Sequence, residues 1–426
     1  MNQNIITVLS NGTVGEKCIK ISHKSGLKIF IVKKPFSSTY AIFGTRYGSS
    51  DNVFGLEGDK EPYAVPEGIA HFLEHKMFES EDGHDSFEDF ARAGADANAY
   101  TSSDRTAYLF SCTDNFYTNL KTLLRMVTTP VFTEENVKKE QGIIGQEIKM
   151  CLDRPTNALY YNLMKAMYKN NPIREQIAGS IDSIAKITPE LLYKCYNVFY
   201  GMSNMALCIA GDVDENKIIE IADEILPIKK DGKILLSKAD EPLECAEGTV
   251  SVRMEVAKPL FRIGIKDAVG TPSDSAVATI LTETVFGEGS DFYSSLYEDG
   301  LISSYSCFSE YSRPACFTVL GGDSDSPDKV FGRFCEYTEK LLKNGIPKED
   351  FERAKRVLYA YIIKAFDTSE GIAEGLFDCF LVSSSYLNQA EEYAAVTYED
   401  ITALAKRIFK KEYFSLSTVY PNKQGK

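Results

Sequence analysis

The sequence predicts an α+β protein of two tandem, related halves, each a mainly antiparallel sheet covered by helices on one face. Three observations carry that prediction. β-rich runs come in groups with long amphipathic stretches between them. A helix-then-strand pattern recurs: TPELLYKCYNVFYGMSNMALCIAG, from Thr188, is echoed by TYEDITALAKRIFKKEYFSLSTVY, from Thr397, roughly 210 residues later. A chain of 426 residues also exceeds one ordinary core and fits two domains.

In chain order, GLKIFIVKK, YAIFGTRYGS, NAYTSSDRTAYLFSC and MALCIAG read as the strands of the first half. Between them, GIAHFLEHKMF has a helical apolar face of Ile69, Phe72, Leu73 and Met77. TEENVKKEQGIIGQEIKM, from Thr133, opens with an acidic first turn and continues as a long helix. Its echo in the second half is PKEDFERAKRVLYAYIIK, from Pro347. Charge, Pro and Gly replace periodic pattern in PIKKDGKILLSKADEPLECAEG, residues 227 to 248, which places a linker at 231–248 between domains 1–230 and 249–426. TVSVRMEVA, PLFRIGIKDA, SSYSCFSEY, ACFTVLGG and YFSLSTVY supply the strands of the second half.

Composition narrows the function. No window approaches the roughly 18 apolar residues of a membrane span, and the N-terminal segment lacks the basic-then-apolar layout of a signal peptide. The expectation is a cytoplasmic, soluble protein with no membrane partner. Ten cysteines without a C-x-x-C pair read as reduced core thiols, not as a structural zinc knuckle or disulfide scaffold. A net charge of −14 argues against a phosphate-backbone binder, so nucleic acid is not expected as a partner.

The chemistry concentrates in HFLEH, residues 71 to 75, which holds two of the chain's four histidines. Multiplying residue frequencies gives about 0.003 chance occurrences of H-x-x-E-H in a chain this long. His71 and His75 lie one helical turn apart, opposite the apolar face, so both imidazoles can reach one tetrahedral Zn2+. Glu74 then lies beside the metal, placed to take a proton from water. A zinc catalyst normally has three protein ligands. Glu140 and Glu147 fall within the apolar stripe of Val137, Ile144, Ile148 and Cys151, where carboxylates are costly unless paired or bound to a cation. Glu147 as third ligand and Glu140 as a partner orienting a ligand histidine would resolve that cost. His2Glu ligation with an open position makes one zinc per chain the expectation.

H-x-x-E-H followed on a later helix by E-x6-E resembles the inverzincin peptidases of the pitrilysin, insulin-degrading enzyme and mitochondrial processing peptidase family. The resemblance covers nearly the whole chain and implies metal ligands His71, His75 and Glu147, general base Glu74 and supporting acid Glu140. GADANAYTS looks like that family's edge strand, with Asn98 and Ala99 near the scissile bond and main-chain pairing to an extended peptide. Family members of this length resemble half of the longer enzymes, two subunits closing as a clamshell around a chamber that admits unstructured peptides. The implied activity is zinc metalloendopeptidase. A non-catalytic peptide-binding scaffold and a leader-processing peptidase of a biosynthetic pathway are the competing readings.

In the second half, Thr279, Thr282 and Glu283 stand where His71, Glu74 and His75 do, and Ala354 and Tyr361 stand opposite Glu140 and Glu147. That half cannot repeat the zinc site. The family's second domain instead gives an Arg and a Tyr that bind substrate or act as an oxyanion donor. In SSLYEDGLISSYSCF, Tyr297 replaces the Arg, and two extra residues precede Tyr305, the matching Tyr. The resemblance therefore favours a heterodimer with a paralogous subunit carrying the Arg/Tyr pair over a homodimer.

Overall fold

The computed structural model describes residues 3–79, 84–228, 232–268 and 272–422. Residues 229–231, within the expected junction, lie outside that set. The chain forms two compact units, each with its own sheet.

The first unit takes residues 1–148, 176–238 and 362–390. Its strands are β1 (Ile5–Asn11), β2 (Glu16–Ser22), β3 (Lys28–Lys33), β4 (Thr39–Thr45), β5 (Val53–Leu56), β6 (Tyr63–Ala64), β7 (Ala95–Thr101), β8 (Thr106–Cys112), β9 (Met205–Gly211) and β10 (Ile234–Leu236). Seven form one sheet in the order β1-β2-β3-β9-β4-β8-β7, antiparallel except for the parallel pair β3 and β9. β10, β5 and β6 make a small second sheet. β4 and β9, which read TYAIFGT and MALCIAG, are nearly or wholly buried along their length because both faces of the sheet centre are covered.

On one face, Ala41 and Phe43 of β4 join a core with Ile69, Phe72 and Leu73 of helix α1 (Ile69–Lys76) and Leu120, Leu123 and Leu124 of the 116–128 helix. Alternate residues turn the other way. Tyr40 hydrogen-bonds Glu374 of the Ser369–Leu381 helix, and a Cβ at Gly44 would overlap the Phe377 ring. β7 follows the same alternation, with Ala95, Ala97 and Ala99 against the core and Asp96 and Asn98 exposed.

The second unit takes residues 149–175, 239–361 and 391–426. β11 (Thr249–Met254), β12 (Leu260–Asp267), β13 (Ser304–Tyr311), β14 (Cys316–Asp323) and β15 (Phe414–Pro421) form a sheet in the order β11-β15-β12-β14-β13, with only β11 and β15 parallel. Phe261, Ile263 and Leu416 pack on one face with Phe286 and Phe334. On the other, Leu163 and Met167 of the Pro155–Met167 helix meet Phe317 and Val319, and a Cβ at Gly264 would overlap Met167.

The expected domains at 1–230 and 249–426 thus trade helical segments: 149–175 belongs to the second unit and 362–390 to the first. Each exchanged helix covers the centre of a sheet that its own stretch of chain does not build. The expected repeat is present in the elements themselves, since Thr188 and Thr397 cap helices Pro189–Phe199 and Tyr398–Ile408 and each helix leads through a short 3-10 turn into a strand.

Candidate metal centre

α1 starts abruptly. Its first position follows Gly68, whose φ of 88° lies in the left-handed region, and a Cβ there would overlap the Ala178 carbonyl. That contact fixes where the short helix begins, and with it the direction of His71, Glu74 and His75. The face expected to be opposite the core is itself covered: His71 and Glu74 are both only 9% exposed, and His75 is half-buried. The covering elements are β7 and α4 (Glu134–Leu152), which follows α2 (Ser86–Arg92) and α3 (Phe116–Thr128) in the chain. Reciprocal hydrogen bonds between Thr133 and Asn136 open α4. Its Val137, Ile144 and Ile148 are buried, which turns Glu140 inward to 7% exposure and leaves Glu147 half-buried.

The two helices bring the expected groups together. Glu147 faces both imidazoles, with Oε1 3.6 Å from His71 Nε2 and Oε2 3.5 Å from His75 Nε2. One potential ligand atom from each of His71, His75 and Glu147 lies within 4.8 Å of the others. Two ligand atoms on one tetrahedral zinc, each bonded at roughly 2.0–2.1 Å, sit about 3.3 Å apart. The donor set and its spacing fit such an ion after small side-chain movements. His71 Nδ1 is buried without a hydrogen-bond partner among the described residues. Carrying the imidazole proton there leaves the Nε2 lone pair for a cation.

Charge points the same way. Burial works to lower the His75 pKa, but the Glu140 hydrogen bond and the charges of Glu74, Glu140 and Glu147 together raise it above its ordinary value. Burial works to raise the Glu140 pKa, yet the bond to His75 and the charges of His75, Lys76 and Lys139 hold it below the usual carboxylate range. Three carboxylates around one imidazole attract positive charge, as a proton or as a metal ion. Glu140 Oε1 lies 3.0 Å from His75 Nδ1, the geometry that fixes a ligand histidine's ring and tautomer. Lys76, fully buried, pairs with Glu79 and lies 3.7 Å from Glu140 Oε2.

Glu74 accepts a 2.8 Å hydrogen bond from Thr101 Oγ1, at the end of β7. β7 is an edge of its sheet, and the Ala99 N–H there donates to the carboxamide oxygen of Asn98 at 2.9 Å. Asn98 and Ala99 share with Glu74 and His75 a cavity of about 400 Å³ whose apolar wall is Phe78, Phe87 and Ile143. Behind β7, Tyr40 and Tyr100 donate to Glu374 at 2.7 and 3.0 Å and tie the strand to the 369–381 helix.

Residues 61–180 match the model described as Insulinase (Peptidase family M16), and residues 186–358 match the Peptidase M16 inactive domain. The chain belongs to peptidase family M16. Among M16 relatives, a Bacillus subtilis (strain 168) protein described as uncharacterized zinc protease YmfH is 38% identical over 412 residues, covering 93% of this chain and 95% of that one. The solved M16-like peptidase from Alicyclobacillus acidocaldarius superposes with a TM-score of 0.92 at 33% identity, covering 98% of this chain and 100% of the other. Pitrilysin gives a TM-score of 0.78 at 14% identity; it covers 99% of this chain, which spans 47% of pitrilysin, and shows the shared fold. Among the described residues no helix is long and apolar enough to cross a membrane.

Tyr305 lies on β13 of the second unit, and its hydroxyl donates to the Phe286 carbonyl at 2.9 Å. Burial pushes its pKa well above the ordinary 10. Tyr297, at the expected Arg position, is 62% exposed. Thr279 and Thr282 spend their hydroxyls on Ser275, Ser309 and Thr318, Ala354 is buried, and Tyr361 is exposed. Sequence reasoning missed Thr101 and Lys76. Lys76 did carry a signal: four residues after Phe72 and three after Leu73, it is a charge within the apolar stripe of α1.

Proposed function

We propose that this chain is a zinc endopeptidase that hydrolyses short unstructured peptides. The observation that carries the reading is the convergence of His71, His75 and Glu147 within 4.8 Å, beside Glu74 and the open edge of β7. Zinc held there would supply Lewis acidity toward the scissile carbonyl. The chain's own residues do the rest. Glu74 takes a proton from the attacking water and passes it to the leaving amine. Glu140 keeps the His75 ring in place through Nδ1. A peptide pairs its main chain with β7 and displaces the Asn98 carboxamide from the Ala99 N–H, which favours extended substrates over folded ones. The side chain next to the scissile bond enters the cavity walled by Phe78, Phe87 and Ile143, so a large apolar residue is preferred there.

A second subunit completes the chamber. Tyr297 in place of an Arg, and a Tyr305 hydroxyl already bonded to Phe286, support a paralogous partner that brings the Arg/Tyr pair. The intact donor set disfavours a scaffold that has lost catalysis. The test is hydrolysis of an internally quenched, unstructured peptide by the zinc-loaded protein, alone and mixed with a paralogous subunit, with Glu74→Gln as control. Cleavage that disappears in the variant supports the reading. Cleavage that persists, or none in either assembly, overturns it.

A further inference from the structure

Resting on the peptidase reading of Glu74, we infer that Thr101 is a positioning residue for the general base, fixing which carboxylate oxygen receives the proton. Glu74 is buried, and among the described residues Thr101 is the one side chain that hydrogen-bonds it, at 2.8 Å through Oε2. An ionised carboxylate only accepts, so the hydroxyl proton of Thr101 is the one in this bond. Thr106 does not compete for the role. Its Oγ1 lies 3.5 Å from that of Thr101 and gives its own proton to the Tyr47 carbonyl at 2.8 Å.

The terminal torsion of a glutamate is broad and nearly two-fold, so an untethered carboxylate exchanges its two oxygens by rotation. A donor on Oε2 breaks that symmetry and leaves Oε1 to take the proton. The donor's location adds a second consequence. Thr101 ends the strand that carries Asn98 and Ala99, so the base and the main-chain ladder for substrate are referenced to one piece of backbone. A peptide seated on β7 meets a base whose distance from it is set by three residues of the same strand.

Thr101→Val removes the donor while keeping the shape and β-branching of the side chain, and Thr101→Ser keeps the donor. Peptide hydrolysis is measured in whichever assembly cleaves, together with zinc stoichiometry. The expected result is a kcat lowered about 10- to 100-fold by valine, up to the scale of a catalytic group misplaced by about 1 Å, with KM and zinc content unchanged and the rate largely restored by serine. A valine variant that cleaves at the wild-type rate overturns the inference and leaves the peptidase reading intact. So does a valine variant that loses zinc or changes KM in proportion, or a serine variant as slow as valine, since each marks a structural role. A wild-type protein that cleaves nothing in either assembly fails one step earlier, at the peptidase reading, and takes the inference with it.

Discussion

Glu140→Gln is the perturbation that most sharply separates a designed metal centre from a chance group of polar residues. The carboxylate is buried, with Oε1 3.0 Å from His75 Nδ1 and Oε2 3.7 Å from the buried Lys76 ammonium. A glutamine oxygen can still accept from His75, so the loss is the charge-assisted part of the bond. Bonds to charged groups contribute about 1.5–3 kcal/mol and are roughly twice as strong as neutral ones, which leaves about 0.75–1.5 kcal/mol. At about 1.4 kcal/mol per decade, zinc affinity should fall roughly 3- to 12-fold. Glu140→Ala removes the whole bond and the orientation of the ring, and should cost nearer 100-fold, the upper end for groups that orient a ligand histidine. Competition with a chromophoric chelator at one fixed pH measures both. If both folded variants bind zinc within about twofold of wild type, Glu140 does not act through His75 and the centre is not organised as described.

The remaining predictions concern catalysis, pH and the second unit. Glu74→Gln should retain zinc and lose about 10²–10⁴-fold in rate, the usual worth of a positioned base; a loss of metal instead would make Glu74 a ligand. Because the His75 pKa is raised above 6.5, protonation of His75 stabilises the metal-free fold below that pH, and this contribution fades as pH rises through the shifted value. Zinc and the proton compete for the same imidazole, so the rise in Tm on adding zinc should grow across that window, and a flat profile would contradict the ligand role. Tyr305→Phe should lower stability by about 1 kcal/mol through loss of the Phe286 bond and leave zinc affinity unchanged; unchanged stability with lost hydrolysis would show the hydroxyl working elsewhere.

Much of the centre was legible in the sequence because its signals are local. Two histidines one helical turn apart, and two glutamates within the apolar stripe of a later helix, are violations of helix patterning that a bound cation would resolve. What escaped was long-range. A helical period says which face of residues 149–175 or 362–390 is apolar, but not which sheet it covers, so the exchange of these segments left no trace beyond Gly44 and Gly264, where the helices press closest. β1 and β2 were not expected. Their apolar residues are split between exposed positions such as Ile5, Ile6 and Val8 and buried ones such as Cys18 and Ile21, which blurs the alternation of a half-buried strand. The direction of the Tyr305 hydroxyl depends on a carbonyl 19 residues away in sequence, which no spacing rule encodes. Thr101 was hidden for the same reason: its importance lies in one hydrogen bond across to another element.

Whether His71, His75 and Glu147 hold a metal within one chain is tested most directly by zinc stoichiometry in native mass spectrometry, beside that of Glu147→Gln. One tightly held zinc per chain is expected, lost or greatly weakened in the variant. A wild-type protein that takes up no zinc, or a Glu147→Gln protein that holds it as tightly, would contradict the assignment of His71, His75 and Glu147.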